Sequence, residues 1–175
     1  MEKLALLGGT PAIEQEPAEL FKWPILTQED YDAALDVISG NKFSGTDITE
    51  QFQTEFAAWQ GRKYAIAYCN GTMSLTSAMF AIGLGHGDEI ICPTKTYWGS
   101  VSQAINFGAS AVFCNINEML SMDPNDIERC ISPRTKAFVL NTPSNPNGCV
   151  WTREQLQELA DLAVEHDFYI IADEI

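Results

Sequence analysis

Short apolar runs alternate with amphipathic stretches from residue 64 to residue 173, and this rhythm constrains the fold of the 175-residue chain more than any other feature. The runs at 64–68, 89–92, 111–116, 137–141 and 168–173 are too short for ordinary helices and read as strands. Between them, Leu75, Ala78, Met79 and Ile82 recur at helical spacing, and a second helical pattern runs over 97–107 to Gly108. Asp123-Pro124 opens a helix to about residue 131, with proline at its first position, and Thr152 with Gln155 forms a capping box for a helix through 166. Strands separated by helices are free to run parallel, and parallel sheets are covered on both faces. The pattern predicts an α/β fold: a three-layer αβα arrangement around a mainly parallel sheet. Ligands of such sheets sit at the carboxyl ends of the strands, so the strand-end loops are the place to look for chemistry.

The first third of the chain has a different character. Residues 1–26 contain Gly8-Gly9 and three prolines and read as an extended arm. Thr27 and Asp30 form an N-terminal capping signal, after which Tyr31, Ala34, Leu35 and Ile38 share one helical face until Gly40. Ile48, Phe52, Phe56 and Trp59 make a second amphipathic helix closed by Gly61, and this aromatic stripe is expected to pack in a core. Two parts are therefore expected: an arm with two helices over 1–60, and the sheet domain over 61–175.

Charge and cysteine usage narrow the function. The chain holds 24 acidic and 10 basic residues, a net of −14, and residues 1–60 hold 11 acids against 3 bases, a net of −8. Such an excess argues against nucleic acid or an anionic membrane surface as partner. Five cysteines at 69, 92, 114, 130 and 149 include no C-x-x-C pair, and two histidines supply no metal site at usual spacings. They read as small buried hydrophobes in a reducing compartment, and no run approaches the ~20 apolar residues of a membrane span. A cytoplasmic protein is expected. The closing run Ile170-Ile171-Ala172-Asp173-Glu174-Ile175 has no turn signal or polar tail after it, and reads as a cut through a larger fold.

Four strand ends carry chemical signal. Cys69-Asn70-Gly71-Thr72-Met73-Ser74 follows a strand and opens a helix, so its amides and the Thr72 and Ser74 hydroxyls can cradle one phosphate, or simply cap a helix. It is neither a G-x-G-x-x-G nor a Walker loop, which counts against dinucleotides and nucleoside triphosphates. Pro93-Thr94-Lys95-Thr96-Tyr97-Trp98-Gly99-Ser100 offers two aromatics that can stack a flat ring or anchor the loop. Asn141-Thr142-Pro143-Ser144-Asn145-Pro146-Asn147-Gly148 is a rigid turn that can aim the Asn145 amide at a polar ring substituent, or serve as a turn alone. Asp173 ends an apolar strand, where a carboxylate is costly unless paired. Aimed at a ring nitrogen it would keep that nitrogen protonated, as a pyridine-based electron sink requires; otherwise it caps a turn.

In this order on successive strand ends, the four segments resemble the fold-type I enzymes that use pyridoxal phosphate. Residues 4–136 are similar to the DegT-type sugar aminotransferases. That likeness lies in Leu4-Ala5-Leu6-Leu7-Gly8-Gly9-Thr10-Pro11, Asn70-Gly71-Thr72, Gly87-Asp88-Glu89-Ile90-Ile91-Cys92-Pro93, Thr96-Tyr97, Gly108-Ala109 and Ser132-Pro133-Arg134-Thr135-Lys136-Ala137. The opening arm is most like members that aminate cyclitol ketones or nucleotide-linked keto-sugars. From residue 137 the chain instead resembles the class I/II amino-acid aminotransferases, through Asn145-Pro146-Asn147-Gly148 and Ala172-Asp173-Glu174-Ile175. The His-x-x-Gly segment and Glu-Asp strand end of DegT-type proteins have no counterpart here, and Asn147 stands where class I/II proteins usually carry Thr.

Carried over position by position, the resemblance implies that Gly71 and Thr72 hold the cofactor phosphate and that Tyr97 stacks on the pyridine ring. It implies that Asn145 donates to the ring phenolate oxygen and that Asp173 pairs with the protonated ring nitrogen. An ion pair at ~3 Å and an effective dielectric of ~20 is worth about 5 kcal/mol before desolvation. The family forms its Schiff base through a lysine some tens of residues beyond that Asp. Lys3, Lys22, Lys42, Lys63, Lys95 and Lys136 do not match that motif. The implied protein is a homodimeric aminotransferase moving an amino group from an amino-acid donor to a keto-sugar or cyclitol ketone. Three alternatives stand beside it: a class I/II amino-acid aminotransferase, a pyridoxamine-phosphate-dependent sugar dehydratase with His in place of the lysine, and a catalytically inactive fragment.

Overall fold

The computed structural model describes residues 3–13, 22–117, 122 and 124–174. Asp123, expected to cap a helix, and residues 14–21 of the arm lie outside them. The chain divides into two compact units, Met1–Glu55 and Phe56–Ile175.

The first unit holds a 3-10 turn at Ala5–Leu7, helix α1 (Gln28–Ser39) and most of α2 (Asp47–Trp59). The Thr27 amide and hydroxyl both donate to Asp30 Oδ2, at 2.7 and 2.9 Å. These bonds hold the Asp30 carboxyl below its ordinary pKa. The expected core packing of the aromatic stripe is not found: Ile48, Phe52, Phe56 and Trp59 are all exposed, as are Tyr31, Leu35 and Ile38 of α1. Periodicity selects which face of a helix is apolar but carries no information on what covers that face.

In the second unit, α3 (Gly71–Ala81) leads to β1 (Glu89–Pro93), α4 (Ser102–Asn106), β2 (Ser110–Cys114) and α5 (Pro124–Cys130). The chain continues through β3 (Thr135–Asn141), α6 (Arg153–His166) and β4 (Tyr169–Asp173). The strands form one parallel sheet in the order β2-β1-β3-β4. Alternation along the central strands divides the core into two layers. Ile90, Cys92, Ala137 and Val139 pack with Leu75 and Met79 of α3 and Ala104 of α4. Ile91, Phe138 and Leu140 pack on the other face with Ile127 of α5 and Leu159 of α6. Burying each large apolar side chain contributes about 1.5–3 kcal/mol, so this double layer is the main source of stability. The αβα expectation holds.

Two local expectations do not hold. Residues 64–68 alternate in burial like a strand but are not part of the sheet: Tyr64, Ile66 and Tyr68 are exposed, while Ala65 and Ala67 are half-buried. A period of two is met by any extended segment, whereas a strand also needs a neighbouring edge in register. The helix expected over 97–107 is broken into a 3-10 turn, Trp98–Ser100, and the short α4. Gly99 and Ser100 are weak helix formers, and Ser100 is held by a partner from a distant strand.

Candidate active site

The strand order sets where a ligand can enter. From β1 the chain crosses to β2 on one side; from β2 it returns to β3 on the other side of β1. Helix α4 covers one face, and α5 and α6 cover the opposite one. The crevice at the carboxyl ends of β1 and β3 is thus a topological switch point, with the loops after those strands splayed around it. Those loops carry Tyr97 and Ser100 on one side and Asn145 on the other, and β4 ends beside them at Asp173.

Helix α3 contributes a candidate anion cradle. Asn70 caps it: its Oδ1 accepts from the Met73 amide at 2.9 Å, and its carbonyl accepts from the Ser74 amide. The Gly71 and Thr72 amides and the Thr72 hydroxyl have no partner among the described residues, which leaves three donors at the positive end of the helix. Ser74 is a correction to the sequence reading: its hydroxyl donates to the Gly71 carbonyl at 2.6 Å, so its proton is committed to the helix. A Cβ at Gly71 would meet nothing within 4 Å. The described residues therefore leave open space at this position.

Gly99 joins the cradle to the aromatic loop. A Cβ on Gly99 would lie 2.5 Å from Tyr97 Cε1 and 3.1 Å from Thr72 Oγ1, so the Tyr97 ring and the Thr72 hydroxyl converge on this bare backbone. Tyr97 is half-exposed and Lys95 in the same loop is exposed. The next residue, Ser100, is fully buried, and its Oγ donates to Asp173 Oδ2 at 2.5 Å. Asn141, at the end of β3, pairs in register with Asp173 and donates from Nδ2 to its carbonyl at 3.0 Å. Asn141 Oδ1 accepts from the Asn145 amide at 2.7 Å, which ties the proline-flanked turn to the same strand end.

One unbroken set of contacts therefore runs Thr72, Gly99 with Tyr97, Ser100, Asp173, Asn141, Asn145. All five sequence-selected residues stand on it or beside it. Ser100, Asn141 and Gly99 were not among them. The available signals were a serine inside an otherwise apolar helical pattern and an asparagine ending an apolar strand.

Comparison with known proteins identifies the family. The profile of the DegT/DnrJ/EryC1/StrS aminotransferase family matches residues 24–174. The chain belongs to that family.

Among relatives, the aspartate/prephenate aminotransferase of Thermus thermophilus is 39% identical over 132 residues, covering 73% of this chain and 34% of that protein. A putative L-glutamine:3-amino-2,3-dideoxy-scyllo-inosose aminotransferase of Micromonospora echinospora is 30% identical over 177 residues, covering 98% of this chain and 40% of that protein. The crystal structure of an aminotransferase from Psychrobacter cryohalolentis superposes with a TM-score of 0.75 at 34% identity, over 87% of this chain and 38% of that one. The chain thus spans about a third to two-fifths of the length of these relatives. The family profile runs past residue 137, where the motifs change character, so both resemblances lie within one fold.

DegT-family and aspartate aminotransferases depend on pyridoxal phosphate. The residues present fit such a cofactor. The unpartnered donors of Gly71 and Thr72 suit a phosphate dianion, and Asp173 Oδ1 has no partner among the described residues. In the loop that carries Tyr97, the buried Thr96 Oγ1 also lacks a hydrogen-bond partner, and a buried hydroxyl in that state calls for a ligand or water.

Proposed function

We propose that this chain is the cofactor-holding part of a pyridoxal-phosphate aminotransferase that moves an amino group from an amino-acid donor to a keto-sugar or cyclitol ketone. The observation that carries the proposal is the contact set from Thr72 to Asn145 at the switch point. The bound cofactor supplies an electron sink for carbanion chemistry at the donor carbon. The chain's own residues bind and orient it. The Gly71 and Thr72 amides and the Thr72 hydroxyl grip the phosphate, and Tyr97 covers one ring face. The Asn145 side-chain amide, not its main-chain N–H, donates to the phenolate oxygen, and Asp173 keeps a proton on the ring nitrogen. The sugar or cyclitol acceptor is supported by the family match and by the scyllo-inosose relative. A homodimer in the cytoplasm is part of the same proposal and rests on the family resemblance.

A second reading, amino-acid transamination, is favoured by the Thermus relative at 39% identity and by the Asn145–Gly148 motif. The full protein, purified, loaded with pyridoxal phosphate and given ¹⁵N-glutamine or ¹⁵N-glutamate, distinguishes the two. Label passing to a cyclitol ketone or nucleotide-linked keto-sugar supports the first, and label passing only to 2-keto acids supports the second. The polypeptide 1–175 by itself is expected to bind the cofactor without covalent attachment or turnover, since its six lysines all precede Asp173. Borohydride reduction followed by peptide mapping checks this; one lysine labelled stoichiometrically together with turnover refutes it.

A further inference from the structure

Ser100 stands where an apolar residue would be expected. Its neighbours Val101 and Ala104 belong to the core layer under α3, and Ser100 itself is 0% exposed. A hydroxyl in such surroundings costs stability unless it is paired, and its partner is the carboxylate of Asp173, 73 residues away. Asp173 is held on two sides. Its main-chain carbonyl accepts from Asn141 Nδ2 and from the Thr142 amide, and its Oδ2 accepts from Ser100. Oδ1 is left as the one carboxylate oxygen without a partner among the described residues.

We infer that Ser100 is a positioning residue that acts through Asp173: its hydroxyl locks the carboxylate rotamer so that Oδ1 faces the cofactor's ring nitrogen, and it keeps the shared proton on that nitrogen. The inference rests on the proposed pairing of Asp173 with that nitrogen. A carboxylate with one oxygen fixed presents the other in a single geometry, which strengthens a charge-assisted bond to an N–H⁺ group. Without the hydroxyl that bond weakens, the ring nitrogen holds its proton less firmly, and the ring becomes a poorer electron acceptor. No atom is gained or lost; only the resting place of one proton changes.

The test uses the full cofactor-loaded protein and pyridoxal phosphate labelled with ¹⁵N in the ring. At saturating cofactor, the ¹⁵N chemical shift reports protonation directly, a readout that loss of packing alone does not move. Ser100→Ala is expected to displace the resonance toward the unprotonated pyridine value and to weaken cofactor binding about tenfold. Ser100→Thr, which keeps the hydroxyl, is expected to restore both. Ser100→Cys, of similar volume and a weak donor, gives the same comparison if the alanine variant does not fold. Asp173→Asn separates the two levels of the argument. If it moves the resonance while Ser100→Ala and Ser100→Cys leave it at the wild-type value, Ser100 has no positioning role. If Asp173→Asn leaves the resonance in place, the pairing assigned to Asp173 is itself wrong and the role of Ser100 falls with it.

Discussion

Asn141 and Asp173 end adjacent parallel strands in register, and the Asn141 side chain bridges them, donating to the Asp173 carbonyl and accepting from the Asn145 amide. Asn141 is 3% exposed. One buried amide thus couples the carboxylate strand to the turn that carries Asn145. Asn141→Ala is expected to cost about 2 kcal/mol in stability, from two lost bonds and the partners left behind. It should also release the Asn145 amide. Urea unfolding measures the first effect, and hydrogen exchange at Asn145, faster than in wild type, measures the second.

Gly71 and Gly99 respond differently to one added methyl group. A Cβ at Gly71 enters open space, so Gly71→Ala should fold with wild-type stability and lose affinity for pyridoxal phosphate. A Cβ at Gly99 would meet the Tyr97 ring at 2.5 Å, so Gly99→Ala must displace that ring. Its mark should be a changed Tyr97 environment in near-ultraviolet dichroism before any cofactor is added. Equal behaviour of the two variants contradicts this assignment.

At the other end of β1, buried Glu89 pairs with the Arg134 guanidinium and accepts from the Ser132 hydroxyl. Arg134→Ala leaves a buried carboxylate with one donor fewer, and Arg134 is itself largely exposed. The expected loss is about 1–2 kcal/mol, below that of a fully buried pair. The urea midpoint should fall while cofactor affinity stays at its wild-type value, because this cluster lies at the strand starts.

Burial, with the nearby Cys130 as a lesser cause, pushes the Cys92 thiol from about 9 up to about 12. The folded protein therefore favours the protonated thiol. The resulting stabilisation is fully present below pH 9 and is lost as pH rises toward 12. Unfolding free energy measured from pH 8 to pH 11 should decline more steeply in wild type than in Cys92→Ala. At pH 8, iodoacetamide should label the exposed Cys69 and spare Cys92.

Features whose cause is local could be read from the residues alone. The Thr152–Gln155 capping box, the start of α3 at Gly71 and the apolar runs of β1 and β3 all depend on neighbours within a few positions. The candidate cradle at Gly71 and Thr72 could be located for the same reason. Ser100 was not, because its role is defined by a partner 73 residues away, and Asn141 acts on a carbonyl 32 residues away. The cysteines show the same division: Cys92 and Cys114 are buried as expected, whereas Cys69, at a loop, is exposed.

By itself the sequence determined the alternating α/β order, the candidate strand-end loops, and the cofactor class through the motifs placed there. Each follows from periodicity or from a short contiguous pattern. Only the tertiary structure decided that 64–68 stays outside the sheet, that the 97–107 helix breaks at Ser100, and that the apolar faces of α1 and α2 are exposed. Those outcomes depend on which surfaces meet rather than on any one segment. The strand order β2-β1-β3-β4 brings the Ser100 hydroxyl to the Asp173 carboxylate and gathers the strand-end loops at one candidate site.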